Sequence, residues 1–479
     1  MRPSVIVVFT LLSCTCGENP GVQVFLTNKG LQYVKHVGAG WIQDKLEHIT
    51  FPDISGEVDI FIGTVYYTLT GTTTTKCDFP EPVVEFSQEY SGLKTSIVGL
   101  SVALAGNWRT SFGIIHDSGW FDMAIFTVSL TSVVQLGRDP NGHPSVSSVS
   151  CDAQIGDVDI QFHGGASVIF QPFVNHFKGR IIEIMQSKIC PGLEKSIMSV
   201  ESLLEAMNVS INVNEVLSID LHLTDLPVID ASNLTMGLKG EFYSIKTHEE
   251  PPFVAQPFIL AEQKNSMLSV GMSEFTLNSA SYGYFSAGQL QALINDSMIP
   301  PAFPIHLNTS FMGMFIPQLP KQFPDLLMIL HVYATEAPMF SLQPGVGEIG
   351  LQLGVTAFAI ESNGTQVPLF KLSMISKFSG KMWIADKKLK GSVTMDNFTL
   401  TLVSSEVGPF KTDALENTVK IGLKLVVLPK LNALLGSGYP LPQMKQGQLV
   451  HSVLNIEKGF LGLYSDVEIQ PTDRSYNFL

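Results

Sequence analysis

The sequence contains two copies of one helix-like segment, and no other feature constrains the fold as strongly. Residues 30–53 and 278–301 align without a gap, 248 positions apart. The alignment places Gly40 on Gly288, Ile42 on Leu290, Leu46 on Ile294 and Pro52 on Pro300. Each copy predicts an amphipathic helix that ends at a proline and is followed by strand-like sequence. A repeat this long is not a solenoid unit, so it predicts two related domains in one polypeptide.

The composition is rich in apolar residues: they make up 45% of the 479 residues, whereas only 15% are charged. A soluble protein of this kind must bury much apolar surface or cover it with a ligand. A membrane protein is the alternative, but the apolar run at 421–435 contains two lysines and a proline and is too short to cross a bilayer. We therefore expect a soluble container rather than a catalyst.

Alternation of apolar and polar residues with period two is the dominant pattern outside a few helices. The clearest examples lie at 98–104, 124–130, 217–223, 305–311, 351–355 and 398–402. Helical periodicity recurs at about 170–207 and 412–435, and the second of these segments is interrupted at Pro429. The pattern predicts an α+β fold in which each half forms a twisted antiparallel sheet around its own helices.

A proline-rich segment, HEEPPFVAQPF, lies between the two halves. Such a run is stiff and extended. We therefore predict a linker at 246–260 that joins an N-terminal domain, 18–245, to a C-terminal domain, 261–479.

The first residues, 1–17, have the positive, apolar and small-residue regions of a secretory signal peptide. We therefore expect a secreted, extracellular protein whose remaining cysteines meet an oxidising compartment. Cys77, Cys151 and Cys190 allow one disulfide and one leftover thiol. Cys151 precedes a strand-like stretch and Cys190 ends a helical one, which favours a bridge between them, with Cys77 free or paired between chains. A nucleophilic Cys77 is the other possibility, but TTTTKCDFPEP offers no nearby base.

Six sequons of the form Asn-x-Ser/Thr support exposure to the glycosylation machinery. They begin at Asn208, Asn233, Asn295, Asn308, Asn363 and Asn397. Some sequons occur by chance in a chain of this length, so the pattern leaves open which of them carry glycan.

Charge and motifs exclude several classes of function. The formal net charge of −14 makes nucleic acid a poor partner. One GxGxxG pattern occurs at Gly345, Gly347 and Gly350, but strand-like sequence follows it where a dinucleotide site needs a helix, so we interpret it as a turn. The sequence contains no GxSxG, HExxH, CxxC or phosphate-loop pattern. We expect no catalytic residues, no metal and no cofactor.

The apolar helix faces allow two interpretations, a packed core or the lining of a cavity. Around Tyr282, Tyr284 and Phe285 a cavity is favoured, because these bulky side chains adjoin Gly283 and Gly288. The residues that we expect to line apolar pockets are Val34, Val37, Trp41, Phe173, Phe177, Ile181, Tyr282, Phe285, Leu290 and Leu423.

Five segments carry a family resemblance: ENPGVQVFLTNKGLQYV, GLKGEFYS, PPFVAQPF, the run from VGMSEF to NDSMIP, and VGPFKTDALENTVKIGLKLVVLPKLNALLGSGYPLP. They resemble the bactericidal/permeability-increasing protein family, which includes the lipopolysaccharide-binding protein and the phospholipid and cholesteryl-ester transfer proteins. The resemblance covers nearly all of the chain after the signal peptide. Within the family, the chain is similar to the C group of BPI-fold-containing proteins.

This resemblance implies a boomerang of two tubular lipid-binding barrels joined by a central sheet to which both halves contribute. It implies an apolar pocket in each barrel that holds a phospholipid, and a disulfide between Cys151 and Cys190. Phospholipid or a similar lipid is then the expected ligand, and a membrane or lipoprotein surface a further partner, while the oligomeric state is left open. We therefore expect a secreted lipid carrier or transfer protein.

One departure from the family concerns the tip of the first barrel, where members that bind endotoxin present a cluster of basic residues. The matching turns, HITFPDISGEVDIF and NWRTSFGIIHDSGW, contain little basic charge beyond His48 and Arg109. Their acidic residues, which would repel lipid A phosphates, are Asp53, Glu57, Asp59 and Asp117. Binding of bacterial lipopolysaccharide is therefore the alternative function. A secreted hydrolase is a third, weakened by the missing nucleophile.

Overall fold

The computed structural model describes residues 18–469 except 48–50, 52, 61, 166, 172–173, 262 and 442–446. The expected signal peptide, His48 and the pocket candidate Phe173 lie outside the described residues. Trp41 and Phe177 lie in helices, but their side chains are not among those described.

The N-terminal half begins with strand β1 (Val22–Thr27) and helix α1 (Asn28–Glu47), and a large antiparallel sheet follows. Its strands, as far as the residues are described, are β2 (Ile54–Ile60), β3 (Gly63–Asp78), β4 (Val83–Ser87), β5 (Gly92–Phe112), β6 (Ile115–Arg138), β7 (Pro144–Gln154) and β8 (Asp157–His163). They pair in the order β2-β3-β5-β6-β7, with β4 on β5 and β8 on β6. The strands predicted at 98–104 and 124–130 lie in β5 and β6 and are confirmed.

Helix α2 (Ser167–Phe170) and the long helix α3 (Val174–Glu205) follow this sheet. The sheet side chains that point towards α3 form a buried core with Ile181, and they include Leu104 and Phe121. Burial of each such side chain stabilises the fold by about 1.5–3 kcal/mol. The alternation predicted from the sequence marks this inner face only in part. Val102, Leu104 and Val128 are buried, whereas Val98 and Phe126 are exposed, because the register of β5 against β6 shifts between Val98 and Val102.

Helix α3 also covers the free edge of this sheet at β7. The carboxylate of Glu201 accepts a hydrogen bond from the backbone N–H of Val146 at 2.5 Å, and a disulfide joins Cys151 in β7 to Cys190 in α3. The structure thus contains the predicted pair, although Cys190 lies within α3, which continues past Pro191. An uncovered edge strand invites pairing with other chains, so these contacts protect the sheet.

Short strands connect the two halves. They are β9 (Ser210–Asn212), β10 (Leu217–Asp220), β11 (Val228–Ile229), β12 (Asn233–Leu238) and β13 (Glu241–Ser244). Strands β13, β10 and β9 form a small antiparallel sheet. The strand predicted at 217–223 is therefore confirmed only up to Asp220.

The C-terminal half begins with β14 (Leu268–Ser273) and helix α4 (Glu274–Ser286). A second antiparallel sheet contains β15 (Gln291–Asn295), β16 (Leu327–Ala334), β17 (Met339–Gln343), β18 (Val346–Ile360), β19 (Gln366–Ala385) and β20 (Lys388–Ser405), with short helices α5 (Thr309–Met312) and α6 (Leu319–Gln322) before β16. Then follow α7 (Asp413–Gly422), a π-helical segment (Leu423–Val427), α8 (Leu428–Ser437), β21 (Tyr439–Pro440), β22 (Gly447–Glu457) and β23 (Phe460–Ile469).

The helices α7 and α8 cover the edge of this second sheet at β20, as α3 does at β7. The side-chain amide of Asn432 donates to the carbonyl oxygen of Val393 at 2.9 Å and accepts from its N–H at 2.7 Å. The carboxylate of Glu416 accepts from the N–H of Leu400 at 2.8 Å. Both halves therefore place polar helix side chains on an otherwise open strand edge.

Both halves contribute strands to a central sheet. Its order, within the described residues, is β11-β12-β1-β14-β23-β22, and all of its pairs are antiparallel. Val24 of β1 lies opposite Met236 on one side and opposite Val270 on the other. Residues 248–260 contain neither helix nor strand. The placement of a domain boundary at 246–260 stays a prediction.

The repeat predicted a long helix in each copy, but only the first copy forms one. In the first copy, α1 is helical through Gly40. In the second, α4 ends at Ser286, and Gly288 adopts a left-handed φ of +67° that suits glycine at a helix end. The following residues form β15, in which Ile294 packs against the C-terminal core. The prediction of a helix beyond Ser286, including Leu290, was therefore wrong.

The structure also tests the strand predicted at 305–311, the helix break predicted at Pro429 and the turn predicted at the GxGxxG segment. The strand predicted at 305–311 is wrong, because the side chain of Asn308 accepts a hydrogen bond from Phe311 N–H and caps α5. The helix expected to break at Pro429 continues, since the π-helical segment precedes the proline and Pro429 lies in the first turn of α8. The GxGxxG segment begins in the turn between β17 and β18, which contains Gly345, but Gly347 and Gly350 lie in β18 and pair with β17, so the prediction of a turn is confirmed only at Gly345.

Candidate lipid-binding site

Strand β16, LMILHVYA, carries apolar side chains on both faces of the C-terminal sheet. Met328 and Val332 belong to the core beneath α7 and α8. The alternating residues His331 and Tyr333 point to the opposite face. A strand with apolar residues on both faces needs cover on both, so the outer face of this sheet is a candidate binding surface.

A cleft of about 610 Å³ lies on that outer face, where the end of α4 meets the sheet. Its volume falls in the range of ligand pockets, roughly 300–1,000 Å³. Its lining includes Phe285, Leu290, Gln291, His331, Tyr333, Thr356, Phe358, Pro368 and Lys371. Two residues that the sequence indicated, Phe285 and Leu290, are thus brought together in one cleft.

The cleft combines aromatic walls with a few polar groups. Nε2 of His331 lies 2.9 Å from the amide oxygen of Gln291, so these two side chains hold each other. Lys371 is exposed and adds a positive charge to the lining. Such a site can accept an apolar chain against its walls and an anionic group beside the lysine.

Aromatic contacts link the cleft to the segment between the halves. The ring of Tyr282 lies 6.3 Å from Phe253 and 6.5 Å from Phe285, measured between ring centroids. Phe253 also meets Phe275 edge to face at 6.1 Å. Tyr282 therefore lies one helical turn from the cleft and supports it, but it is absent from the lining residues described.

Sequence reasoning missed the strand residues of the cleft, above all Tyr333 and Phe358. The available signal was the apolar character of both faces of β16, which departs from the one-sided alternation of the other strands. Nothing within a single element shows that α4, β16 and β18 meet.

The remaining C-terminal candidate, Leu423, is half-buried and packs against the core inside the sheet. At the neighbouring Gly422, helix α7 packs closely against Phe303. A Cβ atom at Gly422 would overlap with the ring of Phe303. Leu423 therefore belongs to a tightly packed region on the face opposite the cleft.

The N-terminal candidates do not gather in one described cavity. Ile181 is fully buried in the core between α3 and the sheet. Val37 is half-buried on α1, and Val34 on the same helix is 53% exposed. In this half, the packed-core interpretation fits Ile181, and a pocket lined by α1 stays a prediction.

The far end of the N-terminal sheet has an apolar and acidic surface. The hairpins β2–β3 and β5–β6 end side by side, since a Cβ atom at Gly63 would lie 2.9 Å from the ring of Phe112. Ile62, Ile114 and Ile115 are exposed there, Ile114 by 96%. Among the described residues of these two turns, Arg109 is the single lysine or arginine. Exposed isoleucines therefore occupy the tip formed by these two hairpins, the place where a cluster of basic residues would be needed to bind phosphate.

The sequons differ in accessibility. Asn208, Asn295, Asn363 and Asn397 are exposed, and Asn308 is half-buried. Asn233 is only 6% exposed, and its amide nitrogen lies 3.3 Å from the hydroxyl of Ser232. A glycan on Asn233 would require this position to open, so the exposed sites are the better candidates.

Both halves of the chain match domains of one family. The N-terminal domain of the LBP/BPI/CETP family matches residues 30–207, and its C-terminal domain matches residues 211–469. The chain belongs to the LBP/BPI/CETP family. Among the described residues, no cluster of three metal-binding side chains occurs. Nor does any described helix have the length and apolar character needed to span a membrane.

Relatives of this LBP/BPI/CETP chain align along almost its full length. A bactericidal permeability-increasing protein of Sebastes schlegelii is 37% identical, covering 96% of this chain and 97% of its own. The BPI fold-containing family C protein of Homo sapiens is 25% identical, over 95% of this chain and 90% of its own. The crystal structure of a lipopolysaccharide binding protein superposes with a TM-score of 0.58 at 27% identity, over 94% of this chain and 99% of that one. The two-domain α+β fold is therefore that of the family.

Proposed function

We propose that this LBP/BPI/CETP family protein is a secreted carrier that holds phospholipid-like molecules without chemically changing them. The observation that carries the proposal is the apolar cleft beside α4, in a fold shared along the whole chain with lipid-binding relatives. A human phospholipid transfer protein is 26% identical over 95% of this chain. The signal-like segment 1–17 supports secretion.

The energetics of such binding come from burial of acyl chains. Each buried methylene gains about 0.8 kcal/mol, so a chain of about sixteen carbons gains on the order of 12 kcal/mol before losses. Walls formed by Phe285, Leu290 and Phe358 supply apolar surface for part of this burial. Lys371 and His331 can then face the phosphate of a lipid headgroup.

Lipid analysis of the secreted protein tests the proposal. The protein would be expressed with its first residues intact, purified from the medium without detergent, and measured by native mass spectrometry. We expect phospholipid at one or more molecules per chain and no hydrolysis of added lipid esters. A protein that leaves the cell without bound lipid, and takes up none from vesicles, would contradict the proposal.

A second candidate function is recognition of bacterial lipopolysaccharide, as the name of the human lipopolysaccharide-binding protein, 28% identical, suggests. The isoleucine tip and its acidic neighbours argue against recognition through the distal hairpins. Binding of lipopolysaccharide at low salt, lost when Arg109→Glu is introduced, would favour this function at the tip. We expect that variant to have little effect.

A further inference from the structure

The helices α7 and α8 present an apolar outer surface that the fold does not use. Ile421, Leu425 and Leu434 are exposed, Leu425 by 72%. The inner side of the same helices is buried through Leu415 and Leu428. The helical segment is therefore apolar on both sides, and its outer side has no described partner within the chain.

The charge of this surface is opposite to that of the chain as a whole. The two acids of these helices, Asp413 and Glu416, lie in the first turn of α7. From residue 417 to residue 437 the helices contain Lys420, Lys424 and Lys430 and no acid, in a chain of net charge −14, whereas the glutamates of α3 are spread along its length. Lys424 and Lys430 are exposed between the exposed apolar side chains. The β19–β20 hairpin adds Lys388, whose ammonium donates to the carbonyl oxygen of Ser437 at 3.4 Å. Positive charge thus extends along the helix to its carboxyl end.

The corresponding helix of the N-terminal half lacks this charge. Helix α3 also covers a sheet edge, but it carries four cations and four glutamates. Its exposed lysines Lys188 and Lys195 are accompanied by Glu183 and Glu194. The cationic surface is therefore a property of the C-terminal helices and not of the helix-over-edge arrangement.

The chemistry of the surface indicates its partner. Protein interfaces are enriched in aromatic residues and arginine and depleted in lysine. Leucine, isoleucine and lysine side by side on one helix are typical of helices that lie in the headgroup region of anionic membranes. The helix needs no rearrangement to dock, because Asn432 and Glu416 fix it to β20 from the other side.

We propose that the outer surface of α7 and α8, formed by Ile421, Lys424, Leu425, Lys430 and Leu434, docks this protein onto anionic phospholipid membranes. The proposal rests on the carrier function and extends it, since it identifies the protein surface that would contact the membrane from which lipid is taken. The apolar side chains enter the interface while Lys424 and Lys430 contact lipid phosphates. The lipid-holding cleft lies on the outer face of the C-terminal sheet, so occupancy and docking can be measured separately.

Vesicle flotation with the full-length secreted protein tests the docking surface. We expect binding to phosphatidylcholine vesicles that contain phosphatidylglycerol, weaker binding to pure phosphatidylcholine, and loss of the difference at high salt. Each lysine near an anionic surface changes affinity by about fivefold. The double variant Lys424→Gln/Lys430→Gln should therefore lose about 25-fold, and Leu425→Ser should weaken binding to anionic vesicles as well.

The matched control is Lys188→Gln/Lys195→Gln on α3, which should leave vesicle binding unchanged. Thermal unfolding of each variant checks the fold, since the substituted side chains are exposed. Equal loss with both lysine pairs, or full loss with Ile114→Ser at the tip instead, would overturn the proposal. So would binding to lipopolysaccharide micelles without binding to anionic vesicles. The phospholipid content of the purified variants should match that of the parent protein, which separates failure of docking from failure of the carrier function.

Discussion

Cys77 illustrates how surroundings decide the chemistry of a single residue. Its thiol is buried in the N-terminal core and is free within the described chain. Burial, followed by the negative charges of Glu47 and Asp78, raises its pKa. A raised pKa lowers the thiolate fraction, and the thiolate is the reactive form. The nucleophile and the interchain disulfide considered from the sequence are both disfavoured.

We predict that the folded protein, purified from the medium, does not react with an aromatic disulfide reagent at neutral pH. The same protein should release one reactive thiol per chain when urea unfolds it without a reductant, because Cys151 and Cys190 stay bonded. The reagent releases one aromatic thiolate for each protein thiol that reacts, so the absorbance of this thiolate gives the number of reactive thiols per chain. Rapid reaction of the folded protein would mean that Cys77 is accessible.

Phe358 provides a test of the cleft at the same scale. Its ring lines the cleft, so Phe358→Asp would place a charge where an acyl chain is expected. We predict at least a tenfold loss of bound phospholipid, equivalent to about 1.4 kcal/mol, measured by mass spectrometry of the purified protein. Val403→Asp is the control, because Val403 is exposed on the same sheet and outside the cleft lining. Equal lipid content in the two variants would place the lipid elsewhere.

At the scale of elements, the side chain of Asn432 joins helix α8 to strand β20. Asn432 satisfies both backbone groups of Val393 on an edge strand. Asn432→Ala removes both bonds, and we predict a loss of about 1–3 kcal/mol in the free energy of unfolding. Urea denaturation would measure it, with the exposed Asn417→Ala on α7 as the control. Equal stability of the two variants would show that the edge is satisfied in another way.

Elements with a long, consistent period were predictable, and elements decided by tertiary pairing were not. Strands β5, β6, β18 and β20 contain the predicted segments. The register shift between β5 and β6, which leaves Val98 and Phe126 exposed, was not predictable from the alternation. The run LQALI fits a helix as well as a strand, and its pairing with β16 decides for a strand. The outer cleft was only half predictable, because Phe285, Tyr333 and Phe358 come together from three distant elements.

For the whole molecule, the repeat in the sequence corresponds to a shared arrangement rather than to matching elements. Each half closes a long antiparallel sheet with a helix along its edge, secured by a disulfide in one half and by an amide side chain in the other. The halves then share the central sheet, in which β1 lies between β12 and β14. Separation of the halves would therefore expose the backbone edges of β1 and β14, which disfavours independent motion.

Asp466 lies at the junction of the two halves. Its carboxylate accepts hydrogen bonds from the Lys29 ammonium at 2.7 Å and from the Met267 N–H at 3.1 Å, so it joins β23 to α1 and β14. Burial raises its pKa, but the hydrogen bonds from Lys29 and Met267 outweigh this and leave the pKa lowered. A carboxyl whose folded pKa is below its unfolded value of about 3.9 stabilises the fold above that pH.

We therefore predict that the stabilisation is lost as the pH falls through the folded pKa of Asp466. Asp466→Asn should lower the free energy of unfolding by about 1.5–3 kcal/mol at neutral pH, and the difference from the parent protein should vanish in strong acid. Denaturation curves across this pH range would measure it. Asp386→Asn is the control, because Asp386 pairs with Lys390 at 2.7 Å on an exposed hairpin, where an ion pair contributes at most about 1 kcal/mol. A deficit of Asp466→Asn that persists unchanged into strong acid would show that the amide disturbs packing and that the junction does not depend on the charge.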